Sequence, residues 1–217
     1  MPKIQLALDT LQWDRALELA RLAGPYVDIL EAGTPLIKSV GIQIVAALKD
    51  ASPEKLVLAD LKSSDVGAYE ANMAFQAGAD IVTTQGITTL ATIAEVQREA
   101  DHWHRRAEVD MTGVADPVAR SCEVQKVGVT LVLYHRSIDE EVTEKALWDE
   151  RACAIVQSMC ALGLDVAIAG GVQIDVLPML RHAPIYNIVI GRGITAQPDP
   201  AKTAKMIHER VQELWSA

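Results

Sequence analysis

The alternation of eight short apolar runs with longer segments of helical spacing is the feature that most constrains the fold of this sequence. The runs predict strands at residues 4–8, 27–30, 56–59, 81–84, 108–111, 131–134, 166–169 and 188–190. The intervening segments place apolar residues three and four positions apart and predict helices at residues 13–23, 42–48, 68–77, 90–100, 152–162 and 203–214. Strands that alternate with helices pair in parallel. Eight of them predict an α/β fold, a (β/α)8 TIM barrel, formed by residues 1–217 as a single domain.

Composition and charge limit the partners that such a domain would have. Half of the 217 residues are hydrophobic and the net charge is −9. The negative charge argues against nucleic acid as a partner, because neutralising phosphates requires clustered Lys and Arg. No apolar run reaches the length of a membrane span, and the first residues do not resemble a signal peptide, so we expect a cytoplasmic protein without a membrane partner. Cys122, Cys153 and Cys160 lack the spacing of a zinc site or a disulfide framework.

The residues that follow the predicted strands are the candidate active site. In a barrel, the carboxyl ends of the strands converge on one mouth. The third predicted strand is followed, within one short turn, by Asp60, Lys62 and Asp65. The other strand ends supply Asp9, Glu31, Thr84, Asp110, His135, Gly170 with Gly171, and Gly191 with Arg192. A solvated loop would explain any one of these charges. Several carboxylates in one mouth, however, need a cation or a proton to relieve their repulsion.

Glu31 and Asp60 predict a metal site. Both supply hard oxygen ligands without accompanying thiolates, which suits Mg²⁺, an ion that keeps water ligands and takes oxygens from a substrate. The alternative is that Glu31 pairs with Lys62. Lys62, which lies between Asp60 and Asp65, is predicted to stay protonated and to present its charge to a developing oxyanion. A Schiff base would need a lowered lysine pKa, so that chemistry is disfavoured.

Two glycine turns and a histidine complete the predicted site. Ala169-Gly170-Gly171 and Gly191-Arg192 follow the last two strands, where barrels often bind a phosphate through backbone N–H groups. His135 is the only histidine at a predicted strand end and is a natural proton donor or acceptor near neutral pH. The alternative for His135 is a hydrogen-bonded structural role.

The ordered set of these motifs resembles the orotidine monophosphate decarboxylase suprafamily, within it the branch of 3-hexulose-6-phosphate synthase and 3-keto-L-gulonate-6-phosphate decarboxylase. The resemblance covers nearly the whole chain, at residues 5–9, 27–34, 59–65, 77–80, 109–111, 134–137, 169–171 and 191–192. It implies a homodimeric barrel with a shared active site that binds a phosphorylated ketose and Mg²⁺. The implied catalytic residues are Lys62 for enediolate stabilisation, His135 for proton transfer, Asp65 contributed from the partner subunit, Asp9 to complete the polar network, and Asp110. Glu31 and Asp60 would bind the metal. The phosphorylated substrate would be bound by Ala169, Gly170, Gly171, Gly191 and Arg192.

The side groups near the reacting carbons separate the two activities of this branch. Both pass through a cis-enediolate: the synthase forms it by removing a C1 proton from ribulose 5-phosphate and adds it to formaldehyde, and the decarboxylase forms it by losing CO₂. Asp110 and Ala169 resemble the synthase, and Ile138 stands where the decarboxylase pattern has an arginine. Resemblance to the decarboxylase is carried by residues 134–137, Arg192 and residues 213–215, and Ser64 stands where the synthase has methionine.

Proton transfer depends on groups within hydrogen-bond reach of the reacting carbon, so these substitutions favour 3-hexulose-6-phosphate synthase. The alternatives are 3-keto-L-gulonate-6-phosphate decarboxylase, both activities in one site, and a sugar-phosphate-binding homologue without catalysis.

Overall fold

The computed structural model describes residues 1–139 and 148–216. Eight parallel strands form a closed barrel in chain order, and the pairing of the last strand with the first closes it. The predicted α/β barrel is therefore confirmed, and each predicted strand overlaps an observed one. The strands are β1 Lys3–Leu8, β2 Ile29–Ala32, β3 Leu56–Ser63, β4 Ile81–Gln85, β5 Arg106–Asp110, β6 Leu131–His135, β7 Asp165–Ala169 and β8 Asn187–Ile190.

Helices follow the strands and cover the outside of the barrel. They are α1 Trp13–Ala23, α2 Thr34–Val40, α3 Gln43–Ala51, α4 Gly67–Gln76, α5 Leu90–His102, α6 Pro117–Gln125, α7 Glu150–Ala161, α8 Leu177–Leu180, α9 Arg192–Thr195 and α10 Pro200–Trp215. The six predicted helices overlap α1, α3, α4, α5, α7 and α10. The pattern missed α2, α8 and α9, which are too short to show a helical period. It also missed α6, although Asp116 caps that helix and Pro117 begins it. Within the described part of the chain, no helix is long and apolar enough to cross a membrane.

Side chains inside the barrel change from apolar to polar toward the carboxyl ends of the strands. Alternate residues of a strand point to the same face, so the inward positions recur every second residue. Apolar inward positions include Ile29, Leu58, Ile81 and Leu131, which pack together in the interior. The residues two positions after Ile29, Leu58 and Ile81 are Glu31, Asp60 and Thr83. They lie on the same inward faces of β2, β3 and β4 and line the mouth. The apolar interior thus supports a polar mouth.

Strand β3 is longer and less regular than the sequence pattern predicts. It continues to Ser63, and its register with β4 shifts between Ala59 and Ser63, which is a β-bulge. Lys62 lies in this bulge with a φ of 49°, an uncommon conformation for a residue with a side chain. The prediction that Asp60, Lys62 and Asp65 share one turn after the strand is therefore wrong. Asp60 and Lys62 are strand residues, and the bulge directs both toward the mouth.

Candidate active site

A cavity of about 520 Å³ opens at the carboxyl ends of the strands, and every strand contributes to its lining. The predicted site residues that line it are Asp9, Glu31, Asp60, Lys62, His135, Ala169, Gly170, Gly171, Gly191 and Arg192. Asp110 is buried behind Lys62 and His135, and it contacts both of these cavity-lining side chains. Asp65 is exposed and lies outside the cavity lining. The fold thus brings together side chains that are up to 183 positions apart, from Asp9 to Arg192.

Lys62 is held between two acids. Its Nζ donates to Asp110 Oδ2 at 2.6 Å and to Asp60 at 3.1 Å. Burial by itself would lower the pKa of Lys62, but the charges of Asp60 and Asp110 outweigh it and raise the pKa above its usual value. Lys62 is therefore expected to carry a positive charge at neutral pH, and the acids that stabilise this charge are Asp60 and Asp110, whereas the sequence predicted Asp60 and Asp65. Since an ammonium group has three N–H donors and the described residues accept from two of them, one donor is left for a ligand.

Asp110 connects Lys62 to His135. Its Oδ2 accepts from Lys62 and lies 2.9 Å from His135 Nδ1, and its Oδ1 accepts from the N–H and hydroxyl of Thr112 at 2.8 and 2.6 Å. Burial would raise the pKa of Asp110, but the contacts with His135 and Lys62 lower it well below its usual value. The carboxylate therefore only accepts, so His135 Nδ1 carries a proton and Nε2 remains as the second ring nitrogen for proton transfer.

Two threonine hydroxyls orient Asp60. Thr34 Oγ1 donates to Asp60 Oδ2 at 2.6 Å, and Thr83 Oγ1 donates to Asp60 Oδ1 at 2.7 Å. Thr83 also accepts from the backbone N–H of Lys62 at 2.9 Å. Because the bulge removes Lys62 from the regular ladder, this hydroxyl takes the place of a strand partner. Thr83 thus fixes both the backbone of Lys62 and the carboxylate of Asp60.

Replacing Thr83 with valine is expected to lower the free energy of unfolding by about 2 kcal/mol, because it leaves a buried N–H without an acceptor. Thr83→Ser keeps the hydroxyl and is expected to keep most of the stability. Urea denaturation of the two variants measures the difference. A valine variant as stable as the serine variant would show that the hydroxyl does not support the bulge.

Glu31 and Asp60 have the donor chemistry that Mg²⁺ requires. Glu31 Oε2 accepts from Gln5 Nε2 at 2.6 Å, and Lys62 pairs with Asp60 and Asp110 instead, so the structure does not favour the alternative in which Glu31 pairs with Lys62. The pKa of Glu31 is raised well above its usual value, first by burial and then by the charge of Asp60. A cation beside these two acids would relieve that repulsion.

The described residues contain no group of three or more His, Cys, Asp or Glu side chains arranged to hold a metal ion. Mg²⁺ does not require such a group, because it is commonly bound by one or two carboxylates plus water and substrate oxygens. Glu31 and Asp60 therefore fit Mg²⁺ as a carboxylate pair with open positions, and they do not fit a metal that needs a complete set of protein ligands. Asp9 lies near them at the mouth, and its pKa is raised by partial burial and by Asp60.

The two predicted glycine turns lie at the β7 and β8 side of the cavity. Gly170 and Gly171 have φ values of 92° and 62°, which favour glycine. A Cβ on Gly170 would lie 2.1 Å from the carbonyl oxygen of Arg136, so a larger residue would clash with the backbone. Gly191 and Arg192 line the same side. Backbone groups and a cation therefore lie together where the sequence predicts a phosphate.

The sequence pattern also missed polar residues of the cavity. Gln5, Thr34, Thr83 and Glu108 line it, and none was predicted as a site residue. Glu108 lies on β5 two positions before Asp110, so both point inward. An acid two positions before a predicted site residue, on the same face of the strand, was an available signal.

The fold and the cavity define a class of protein: a (β/α)8 barrel with acids and a lysine at the carboxyl ends of its strands, where barrel enzymes place their chemistry. A family model described as the orotidine 5'-phosphate decarboxylase / HUMPS family matches residues 2–207. The chain belongs to this family, and the resemblance inferred from the strand-end motifs is confirmed.

Relatives from both activities of the branch match along nearly the entire chain. The chain is 37% identical over 207 residues to 3-hexulose-6-phosphate synthase from Methylomonas aminofaciens, covering 95% of this chain and 98% of the relative. It is 31% identical over 215 residues to 3-keto-L-gulonate-6-phosphate decarboxylase from Escherichia coli O139:H28, covering 99% of each. A crystal structure of a 3-hexulose-6-phosphate synthase matches with a TM-score of 0.91 at 36% identity, covering 96% of this chain and 99% of that one. The relatives of this chain are therefore lyases that act on sugar phosphates.

Proposed function

We propose that this protein is a Mg²⁺-dependent carbon–carbon lyase for a phosphorylated ketose, and that its reaction is the aldol addition of ribulose 5-phosphate to formaldehyde. The observation that carries the proposal is the placement of two chemically different ends in one cavity. Glycine turns and Arg192 lie at the β7 and β8 side, and the acids with Lys62 lie at the β2 to β5 side. A short sugar phosphate has the same two ends, an anionic group and a reacting carbonyl with hydroxyl groups.

The side chains of the cavity suit an enediolate reaction. His135 Nε2 is the group that would move the C1 proton, because Nδ1 is committed to Asp110. Lys62 would stabilise the negative charge that develops on the sugar oxygen, and Asp60 and Asp110 hold its ammonium in place. The C1 carbon would then bond to the carbon of formaldehyde, whose oxygen takes up a proton. When bound by Glu31 and Asp60, Mg²⁺ would supply further positive charge to the enediolate oxygens.

The groups near the reacting end favour aldol addition over decarboxylation. Ile138 lines the cavity mouth and is apolar, so it offers no charge to orient a water molecule that would protonate the enediolate. Ala169 likewise contributes no hydroxyl. The identity to a synthase, 37%, is also higher than the 31% identity to a decarboxylase.

Decarboxylation of 3-keto-L-gulonate 6-phosphate is the second candidate. Tyr134-His135-Arg136-Ser137 and Arg192 resemble the decarboxylase pattern, and the two reactions share one enediolate.

The purified protein should be assayed with Mg²⁺ for formaldehyde consumption with ribulose 5-phosphate and for CO₂ release from 3-keto-L-gulonate 6-phosphate. We expect the first to be faster. Faster CO₂ release would replace the proposed reaction with the second candidate, and no turnover of either substrate would support a non-catalytic sugar-phosphate-binding protein.

We also propose that two copies of the chain share each active site. Asp65 lies outside its own cavity, and exposed apolar residues follow it: Val66 and Tyr69 are 60% and 76% exposed. Ile87, which is 60% exposed, is next to Thr88, whose hydroxyl donates to the carbonyl of Ser64. These exposed apolar residues lie beside Asp65 in the sequence or are joined to its neighbour Ser64 through that hydrogen bond, and together they define a candidate interface surface. A second copy that covers this surface would bury it and would bring each Asp65 to the partner's cavity.

A mixture of two inactive variants tests this arrangement. Lys62→Met and Asp65→Asn are each expected to be inactive, because each dimer would lack one required group in both sites. Mixed dimers would contain one intact site, so an equal mixture after subunit exchange should recover about one quarter of the wild-type activity. Light scattering would establish the dimer. A monomer in solution, or no recovery in a mixture shown to contain mixed dimers, would contradict the shared site.

A further inference from the structure

Glu108 is a buried acid that the proposed reaction does not use. Its side chain is 1% exposed and lines the cavity, and its two carboxyl oxygens have no hydrogen-bond partner among the described residues. The neighbouring acids differ in this respect. Asp60 and Asp110 accept from threonine hydroxyls and Lys62, and Glu31 accepts from Gln5. Buried polar groups are nearly always paired, so an unpaired carboxyl in a cavity points to a partner that enters with a ligand.

The chemistry of the Glu108 carboxyl limits what that partner can be. Burial, followed by the charges of Asp110 and Asp60, raises the pKa of Glu108 to about 8. At neutral pH the group is therefore mainly the neutral acid, which has one O–H donor and free acceptor capacity. A sugar hydroxyl also donates and accepts, so it matches both functions of the acid. A second anion would match only the donor.

The position of Glu108 places it beneath the reacting end of the site. It pairs in register with Thr83 of β4 and Leu131 of β6, and Asp110 lies two residues further toward the mouth on the same face. Glu108 therefore lies one inward position below the acid that holds Lys62. The glycine turns and Arg192 follow β7 and β8, and β7 lies across the barrel from β3, which carries Lys62. A ligand held there by its phosphate would direct its other end toward Lys62 and Glu108.

We propose that Glu108 is a binding residue for a hydroxyl group at the reacting end of the sugar phosphate. The inference rests on the proposed function, because it assumes a ligand with a phosphate at one end and hydroxyl groups at the other. In this role Glu108 determines which substituents the deep end of the cavity accepts: hydroxyl-bearing carbons gain a hydrogen bond, and carbons without oxygen leave the acid unpaired. An unpaired acid in the ligand-free protein lowers stability, and the ligand relieves that cost.

Two variants separate this role from a structural one. Glu108→Met removes both hydrogen-bonding functions at similar length, and Glu108→Gln keeps a donor and an acceptor without charge. Affinity is measured by calorimetry for D-ribulose 5-phosphate with Mg²⁺ and without formaldehyde, and separately for inorganic phosphate. We expect Glu108→Met to weaken ribulose 5-phosphate binding about tenfold or more and to leave phosphate binding unchanged, since phosphate does not reach Glu108. Glu108→Gln should bind ribulose 5-phosphate within about threefold of the wild type.

Thermal unfolding without ligand separates a ligand-binding role of Glu108 from a structural one, because the two roles predict different Tm values for Glu108→Met. Because methionine removes an unpaired acid from an apolar interior, Glu108→Met is expected to have a Tm equal to or above that of the wild type. Should Glu108→Met not fold, Glu108→Asp retains the acid but withdraws it from the ligand, and it should show the same selective loss of sugar phosphate affinity.

The outcomes distinguish failure of the inference from failure of the proposed function. If Glu108→Met binds ribulose 5-phosphate as tightly as the wild type, or if Glu108→Gln loses as much affinity as Glu108→Met, the inference is overturned and the proposed function stands. A Tm drop in Glu108→Met with unchanged ligand affinity would assign Glu108 to structure alone. If the wild type binds ribulose 5-phosphate no more tightly than phosphate, the proposed function and the inference are both overturned.

Discussion

Lys62→Met is expected to reduce kcat by roughly a thousandfold or more, because it removes the positive charge that would stabilise the developing enediolate. The reduction should appear mainly in kcat, since the phosphate side of the cavity lies away from Lys62 and would still bind the substrate. Steady-state kinetics with ribulose 5-phosphate and formaldehyde measure both constants. Methionine is unbranched like lysine and only one atom shorter, but it leaves Asp60 and Asp110 without their shared cation.

Lys49→Met is the matched control for this change. Lys49 is also a partly buried lysine that pairs with a buried acid: its Nζ donates to Asp80 at 2.8 Å, and its side chain is 28% exposed, against 25% for Lys62. Asp80 immediately precedes β4, so this pair lies at the amino ends of the strands, away from the cavity. The control should lose stability but keep kcat. Equal losses of kcat in the two variants would assign the effect of Lys62 to folding and remove it from the proposed chemistry.

The architecture follows from the sequence because it depends on a repeated pattern. Eight apolar runs separated by helical segments predicted eight strands, and each one overlaps an observed strand. The residues that follow a strand in a parallel barrel must converge, so most of the predicted site residues could be assigned to the cavity without any knowledge of contacts. Exact strand ends are not needed to predict this convergence. For example, the second strand was predicted at residues 27–30, whereas β2 is Ile29–Ala32. Glu31 was nevertheless assigned correctly to the mouth.

The connections inside the site were not predictable, because they depend on local departures from the pattern. A regular β3 would satisfy the N–H of Lys62 through β4. The bulge between Ala59 and Ser63 instead leaves this group to the hydroxyl of Thr83. Nothing in the spacing of apolar residues indicates a bulge of this kind. Glu108 was missed for a different reason: it begins the predicted strand at residues 108–111, whereas the predicted site residues lie at the carboxyl ends of the strands.

The acids of the site also show why pairing cannot be deduced from sequence proximity. Asp60 and Asp65 flank Lys62 in the sequence, but only Asp60 contacts it, and the second partner is Asp110, 48 residues further along the chain. Neighbouring acids also differ in pKa because their surroundings differ. Contacts with His135 and Lys62 lower the pKa of Asp110, whereas burial raises the pKa of Glu108, two residues earlier, to about 8. Two acids on one face of one strand thereby acquire different charge states at neutral pH, since Asp110 is ionised and Glu108 is mainly neutral.

Asp60→Asn is expected to weaken Mg²⁺ binding by more than roughly a hundredfold and to abolish turnover, because it replaces one of the two anionic oxygen ligands with a neutral amide. Asparagine retains the shape of aspartate and can still accept from Thr83, so the fold should be preserved. Calorimetric titration with Mg²⁺ in the presence of ribulose 5-phosphate measures the loss. Asp110→Asn provides the control: Asp110 is also buried and also pairs with Lys62, but it is not assigned to the metal. That variant should lose activity and keep Mg²⁺ affinity. Full activity of the wild type after exhaustive chelation, or equal Mg²⁺ affinity in the two variants, would contradict a metal site at Glu31 and Asp60.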